Sequence, residues 1–128
     1  MEKKRVLFVS QEISPFLTKT EVSNFTRRIA QSTQEEGKEI RVFMPRYGVI
    51  NERRHQLHEV IRLSGLNLSI DDQDHPLIIK VASVAAARMQ VYFIDNDDFF
   101  KRKQILHEED GSCCVDNDER SIFFVRGV

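Results

Sequence analysis

The chain has 128 residues, enough for one domain with a hydrophobic core of its own. An apolar fraction of 41% argues against a disordered chain, and 30% charged residues argue against a membrane protein. Nineteen Lys and Arg offset twenty Asp and Glu, and a net charge of −1 gives no field that attracts nucleic acid or an anionic membrane. The two cysteines are sequence neighbours and no signal peptide is recognisable, so we expect a cytoplasmic domain.

The first third of the chain predicts a β-α-β unit. Arg5 to Ser10 is an unbroken apolar run, typical of a central parallel strand covered on both faces. A helix follows and stops at Gly37, with apolar residues at spacings of three and four, namely Val22, Phe25 and Ile29. Glu39 to Met44 is a second strand, halted by Pro45. This pattern indicates an α/β sheet with a right-handed crossover.

The middle of the chain predicts a β-hairpin. Val60 to Leu63 and Leu66 to Ile70 flank a Ser-Gly pair, and the second run alternates apolar with polar residues. Asp71 to Pro76 is expected to be a polar loop.

The last part of the chain predicts two strands and an unfinished crossover. The strands are Leu77 to Val84 and Met89 to Ile94, and the second rejoins the core sheet. One helical turn at Asp98 to Arg102 and an irregular loop over Lys103 to Val115 precede a helix that begins at Asp116. No strand follows this helix although a doubly wound sheet should continue, so we expect residues 1–128 to be a single α/β domain that is truncated and incomplete at its C-terminal end.

The loop from Gln11 to Glu21 is the first candidate for a ligand site. In an open α/β sheet, ligands bind beyond the C-terminal ends of the strands, and this loop follows the first strand. The next helix is capped either by Thr18, with Glu21 at the capping-box spacing, or by Thr20. The loop has no glycine, and the chain has neither a dinucleotide-binding nor a Walker motif, so the residues alone favour an ordinary capped helix after a surface loop.

No metal site or cofactor is expected. His55 and His58 are three residues apart but have no cysteine in reach, which favours a solvated loop. The acidic runs that begin at Asp95 and Asp116 lack the Gly and Glu spacing of a calcium loop. Cys113 and Cys114 are expected to be ordinary loop thiols.

Four separated segments, in order and in register, resemble bacterial glycogen synthases and plant starch synthases of glycosyltransferase family five. The first is VLFVSQEISPF at residues 6–16, and the second is PRYGVI at 45–50. The third is YFIDN at 92–96 with the Phe pair at 99–100, and the fourth is DNDER at 116–120 with the Phe pair at 123–124. The resemblance covers nearly the whole chain. It implies the Rossmann-like N-terminal half of a GT-B glycosyltransferase, with an inserted β-hairpin.

The resemblance implies transfer of glucose from ADP-glucose to the end of an α-1,4-glucan. The family's Lys-Thr-Gly-Gly-Leu loop, which serves the phosphates of the donor, aligns with Thr18, Lys19, Thr20, Glu21 and Val22. Both glycines are replaced, and the Glu21 carboxylate opposes a diphosphate, although Lys19 keeps a cation one place along. In the family, Asp95, Asn96 and Asn117 would border the glucan-facing cleft, which makes them candidate acceptor contacts.

The family's catalytic histidine segment and its C-terminal donor residues lie beyond this chain, so no catalytic residue is assigned. We therefore expect a glycogen or starch synthase-type glucosyltransferase domain that is inactive as an isolated piece. Its expected partners are ADP-glucose, the glucan, and either the missing C-terminal GT-B domain or a second copy of the chain. The alternative is a non-catalytic carbohydrate-binding or regulatory relative, which the loss of the loop glycines favours.

Overall fold

The computed structural model describes residues 4–17, 21–70, 72–84, 89–100 and 116–128. The main sheet has the strands β1 (Arg5–Val9), β2 (Glu39–Pro45), β3 (His58–Glu59), β6 (Ile78–Val84) and β7 (Met89–Asp95). A two-stranded sheet consists of β4 (Asn67–Ile70) and β5 (Gln73–Pro76). The helices are α1 (Glu21–Glu35), α2 (Glu52–His55), α3 (Asp97–Phe100) and α4 (Asn117–Gly127), with a short 3-10 helix at Ile61–Leu63.

The main sheet has the strand order β1-β2-β7-β6-β3 and a parallel core, which confirms the predicted α/β fold. β1 pairs with β2 and β2 pairs with β7 in parallel, whereas β6 and β3 join in antiparallel orientation. The crossover helix α1 ends before Gly37, whose φ of 87° lies in the left-handed region that favours glycine. The predicted strands that became β6 and β7, and the return of β7 to the core, are confirmed.

The predicted central position of β1 is wrong. Among the described residues only β2 pairs with it, so β1 forms one edge of the sheet. Its Leu7 side chain is 55% exposed and its Val9 side chain 49% exposed. The apolar run predicts a strand that is covered on both faces, whereas Leu7 and Val9 are exposed in the described structure.

The predicted helix is confirmed as α1, but the apolar residues whose spacing predicts it are not the ones that it buries. Val22, Phe25 and Ile29 are exposed, and the helix instead buries Ser23, Thr26 and Ala30. Small side chains on this face let the helix backbone approach the sheet closely. The Ser23 hydroxyl donates to the Leu17 carbonyl, and the Thr26 hydroxyl lies 3.1 Å from that of Ser10, so these polar groups are satisfied where they are buried.

The inserted hairpin exists, but its pairing differs from the prediction. Residues 60–63 do not form its first strand, because Ile61–Leu63 is a 3-10 helix. β4 pairs instead with β5, in the segment predicted to be a polar loop, across a turn in which Asp72 has a φ of 62°. Leu68 lies opposite His75, and burial of both side chains stabilises this pairing over the predicted one.

The C-terminal helix begins as predicted, directly after Asp116. It buries Arg120, Phe123 and Phe124, whereas Ile122 and Val125 are exposed. The first part of the predicted helical turn is α3. Residues 101–115 lie outside the described residues, and they include the end of that turn, the predicted loop and both cysteines. In the described ranges, no helix is long and apolar enough to cross a membrane.

The two faces of the main sheet differ in how well they are covered. One face carries fully buried side chains, among them Val42, Met44, Val91 and Phe93, and α1 contributes Ala30 to the same core. The other face, which we name the open face, carries Leu7 and, opposite it in β2, the exposed Arg41. The open face is exposed at β1 and at Arg41, whereas farther along the sheet it carries the buried Ile94.

Phe93→Ala should lower the free energy of unfolding by about 3–5 kcal/mol, because the removed ring is fully buried and leaves a cavity. The ring also packs edge to face on Phe16, at 4.9 Å between centroids. Urea denaturation measures the loss. Phe25→Ala is the matched control, since that ring is 57% exposed, and its variant should differ from the parent by less than about 1 kcal/mol. Equal losses in the two variants would contradict the core assignment.

Candidate functional site

A depression of about 210 Å³ lies beyond the C-terminal ends of β1 and β2, where ligands bind to open α/β sheets. We name it the strand-end cleft. Its wall combines polar groups from the loop after β1 and from α4 with aromatic rings from the loop after β2 and from α3. Six of its lining residues are Ser10, Gln11, Tyr47, Phe100, Asn117 and Ser121.

Arg120 fixes one side of the cleft. Its guanidinium lies 5.9 Å from the Tyr47 ring centroid and 5.5 Å from that of Phe100, within cation–π range of both. Its Nη1 donates to Oδ1 of Asn117 at 2.9 Å. The Arg120 side chain is buried, so this arrangement orients the Asn117 amide with little conformational freedom.

The residues of the cleft suit a neutral, hydroxylated ligand. Aromatic rings provide flat apolar surface, and the Gln11 and Asn117 amides carry both donors and acceptors. The Ser10 and Ser121 hydroxyls donate to the backbone carbonyls of Glu12 and Asn117, and their oxygens can accept. These are the groups that a sugar ring requires.

Tyr47 enters the cleft wall as a neutral phenol. Burial raises its pKa from 10.0 to about 12, although the Arg120 charge lowers the pKa and the Glu12 charge raises it to smaller extents. The phenol therefore acts as a packing surface rather than as a proton donor or acceptor at neutral pH.

A buried ionic cluster supports the C-terminal ends of β2 and β7 behind the cleft. Asp95, the last residue of β7, is 1% exposed, and its carboxylate lies 2.8 Å from Nη2 of Arg46 and 2.9 Å from Nζ of Lys80. Glu52 of α2 contacts Nζ of Lys80 at 2.5 Å, and Asp97 lies 3.4 Å from Nη2 of Arg46. Each buried charge thus has an opposite charge beside it, which burial requires.

The charges around Lys80 determine its protonation. Desolvation lowers its pKa, but the hydrogen bonds and charges of Glu52 and Asp95 outweigh that effect, and the pKa is raised above its usual 10.5. Lys80 therefore remains a cation at neutral pH.

Asn96 closes the turn from β7 into α3. Its Oδ1 accepts from the backbone N–H groups of Asp98 at 2.8 Å and Phe99 at 3.2 Å, and its Nδ2 donates to the Pro76 carbonyl at 3.0 Å. This is a helix cap combined with a link to the hairpin. Asp95 and Asn96 are thus both engaged inside the protein, where they hold the strand end in place.

Of the predicted site residues that the structure describes, Asn117 alone lines the strand-end cleft. Glu21 is the exposed first residue of α1, and Thr18, Lys19 and Thr20 lie outside the described residues.

The sequence-based prediction did not include Tyr47 and Arg120, which line the cleft. Both belong to segments that carry the family resemblance, PRYGVI and DNDER. Tyr47 lies just after a strand and Arg120 in the first turns of a helix, and these positions could have indicated that both are near the site.

No group of three or more His, Cys, Asp or Glu residues in the described ranges is arranged to hold a metal ion. His55 packs on the Phe16 ring at 5.0 Å between centroids. Burial, and then the nearby Arg54 charge, lower its pKa.

The comparison with family models identifies residues 5–128 as a starch synthase catalytic domain. The chain belongs to this family. It is 38% identical over 125 residues to the glycogen synthase of Chlorobium limicola, and 38% identical over 125 residues to that of Chlorobaculum tepidum. In both comparisons, 97% of this chain aligns with 26% of the relative. The chain therefore spans about a quarter of the length of these two relatives.

A solved structure supports the fold of this starch synthase family member. The catalytic domain of starch synthase IV from Arabidopsis thaliana, bound to ADP and acarbose, matches with a TM-score of 0.71 at 18% sequence identity. The match covers 85% of this chain and 22% of that one. The sheet of parallel strands is thus that of a starch synthase catalytic domain, and the predicted family and fold class are confirmed.

Asp95→Asn should lower the free energy of unfolding by about 3–5 kcal/mol, because it leaves the buried Arg46 and the half-buried Lys80 without their shared anion. Urea denaturation at neutral pH measures the effect. Asp74→Asn, at an exposed position of β5, is the control and should change stability by less than about 0.5 kcal/mol. A loss no larger than that of the control would mean that the cluster does not support the strand ends.

The fold should lose stability in alkali as the pH rises from 10 to 12. A group whose pKa is raised on folding stabilises the fold below its unfolded pKa, and this stability disappears as pH rises through the folded value. For Tyr47, a pKa of about 12 against 10.0 corresponds to a loss of about 2–3 kcal/mol, to which Lys80 adds in the same direction. Tyr47→Phe should reduce the loss, as measured by urea denaturation across this range.

Phenolate absorbance provides a direct check of this pH dependence. The chain has two tyrosines, so in Tyr92→Phe the signal reports Tyr47 alone. Its midpoint should lie near 12. A midpoint near the ordinary 10.0 would show that Tyr47 is not buried in the cleft wall.

Proposed function

We propose that the chain acts in the transfer of glucose from ADP-glucose to an α-1,4-glucan, and that it contributes the glucan-binding side of the site. Membership of the starch synthase catalytic domain family supports this, as do the curated relatives named glycogen synthase. The Arabidopsis thaliana starch synthase bound to ADP and acarbose supports a nucleotide sugar and a glucan as substrates. None of the comparisons supports a non-catalytic relative.

The observation that carries the proposal is the composition of the strand-end cleft. A glucan has no charge, so it is recognised by hydrogen bonds to hydroxyls and by contact with flat apolar surfaces. Tyr47 and Phe100 supply rings, and Asn117 supplies an amide that Arg120 holds in place. We therefore place the glucan acceptor against Asn117. Asp95 and Asn96 are assigned to positioning, because both side chains are buried, bond within the protein and do not line the cleft.

The donor phosphates are assigned to the loop before α1. Lys19 supplies a cation there, while Thr18, Thr20 and Glu21 occupy positions at which the family has Lys and two glycines. Glu21 is exposed at the start of α1, where its charge opposes a phosphate at the helix N-terminus. Donor binding through this loop alone should therefore be weak, and most of the donor's contacts must come from the rest of a GT-B enzyme.

In this proposal, residues 1–128 are part of the Rossmann-like N-terminal domain of that enzyme. The chain supplies no catalytic residue of its own, uses no cofactor, and works in the cytoplasm on soluble substrates.

Titration calorimetry of the chain with maltoheptaose tests the acceptor assignment. Asn117→Ala should weaken binding about 3- to 10-fold, the equivalent of one hydrogen bond of about 0.5–1.5 kcal/mol. Asn24→Ala, an exposed asparagine on α1, is the matched control and should bind as the parent does. Binding of maltoheptaose that is equal in the parent and in Asn117→Ala would move the acceptor away from the cleft. The absence of any binding to the parent would contradict a glucan site on this chain.

A further inference from the structure

The loop after β1 begins with a short turn that its own groups close. The Ser10 hydroxyl donates to the Glu12 carbonyl at 2.9 Å, and the Glu12 backbone N–H donates back to Ser10 Oγ at 3.3 Å. Serine side chains bond in this way to the backbone two residues on, and such bonds define a compact turn. Gln11 is the middle residue of this turn, where it is exposed and lines the strand-end cleft.

The Ser10 hydroxyl has a further partner, which lies on α1. Thr26 Oγ1 is 3.1 Å from Ser10 Oγ. A serine hydroxyl carries one hydrogen, and that of Ser10 is donated to the Glu12 carbonyl, so Thr26 is the donor in this contact. Thr26 is 7% exposed, so little water can replace the bond. One buried hydroxyl of α1 thus determines how the Ser10 side chain is turned.

The sheet and the helix fix both ends of this contact. The Ser10 backbone N–H donates to the Phe43 carbonyl at 3.0 Å, which continues the pairing of β1 with β2. Thr26 lies in the second turn of α1, and the same helix holds a later part of the loop, where Arg27 Nη1 donates to the Ser14 carbonyl at 3.3 Å. The Thr26 hydroxyl therefore has a fixed target, and the turn after Ser10 is the part that it constrains.

The Gln11 amide complements the amide on the other element of the cleft wall. Asn117 lines the cleft from α4, where Arg120 holds its amide in place. A second amide from the loop adds donors and an acceptor, so the two amides can bond different hydroxyls of one sugar ligand. Glutamine is a long side chain that loses rotational freedom on binding, and a backbone already held in place reduces that cost.

We propose that Gln11 is a further ligand-binding residue of the strand-end cleft and that Thr26 is its positioning residue, acting through Ser10. The role of Gln11 rests on the proposed function, because it assigns a contact with the glucan. The role of Thr26 depends only on the geometry of the turn. A buried position of a helix ordinarily has an apolar side chain, so the hydroxyl of Thr26 is explained by its bond to Ser10.

Titration calorimetry of the chain with maltoheptaose tests both roles. Gln11→Ala and Thr26→Val should each weaken binding about 3- to 10-fold, the range for one hydrogen bond. Thr26→Val keeps the shape of the side chain and removes the hydroxyl, whereas Thr26→Ser keeps the hydroxyl and should bind within about 2-fold of the parent. Thr33→Val is the matched control on the same helix, because the Thr33 hydroxyl donates to the Ile29 carbonyl of α1 at 2.8 Å.

Two further measurements separate positioning from a general effect on the fold. In the Gln11→Ala background, Thr26→Val should weaken binding by less than about 2-fold, because Thr26 acts through Gln11. Hydrogen exchange of the Glu12 backbone amide, which donates to Ser10, needs no sugar. This exchange should be faster in Thr26→Val by about 3-fold or more, and unchanged in Thr26→Ser and Thr33→Val.

The opposite results would overturn the proposal. If Gln11→Ala binds as the parent does, Gln11 is not a ligand contact. The role of Thr26 is overturned if Thr26→Val binds as the parent does, if Thr26→Ser loses as much affinity, or if the double variant loses affinity additively. Unchanged exchange at Glu12 in Thr26→Val overturns it without any sugar, and so does a Thr26→Val chain that no longer folds, since the hydroxyl would then support the fold itself. If the parent binds no maltoheptaose, the proposed function fails together with the contact of Gln11, while faster exchange at Glu12 still supports the role of Thr26.

Discussion

The buried contact of Asp95 with Arg46 and Lys80 holds together the end of the sheet on which the candidate site is built. Asp95 ends β7, Lys80 lies in β6, and Arg46 directly follows β2, so one carboxylate joins three neighbouring strands. Taking these charges out of water is costly, and their mutual attraction compensates only while all of them remain in place. These contacts link the ends of β2, β6 and β7 directly to one another.

The strand-end cleft depends on the position of these strand ends. Tyr47 follows Arg46 directly in the chain, and Phe100 ends the short helix that Asn96 caps, so both rings take their positions from the strand ends. Arg120 then packs against the two rings and orients Asn117. The ligand-facing amide is thus the last member of a series of contacts that begins in the sheet. The chemistry assigned to the cleft, recognition of a neutral sugar, requires positioned groups and no shifted protonation state at neutral pH.

The parallel core could be predicted from the sequence because its strands are short apolar runs. Gly37 and Pro45 end the neighbouring helix and strand, and such breaks are visible in the local sequence. The hairpin partner of β4 could not be predicted in this way. Its pairing with β5 depends on burial of His75, and His75 lies in a polar segment that is typical of a loop. Among the predicted site residues in the described ranges, the cleft is lined by Asn117 alone. Tyr47 and Arg120 contact each other across about seventy residues of sequence, and no local pattern shows that contact.

The apolar run of β1 and the periodic apolar residues of α1, which are Val22, Phe25 and Ile29, have patterns typical of covered surfaces, yet Leu7, Val9 and these three residues are exposed in the described structure. An apolar pattern indicates which residues are stable when covered, but it does not show which element covers them. Both exposed sets flank the edge strand β1, one on each face of the sheet, so the two patterns predict a burial there that the described elements do not supply.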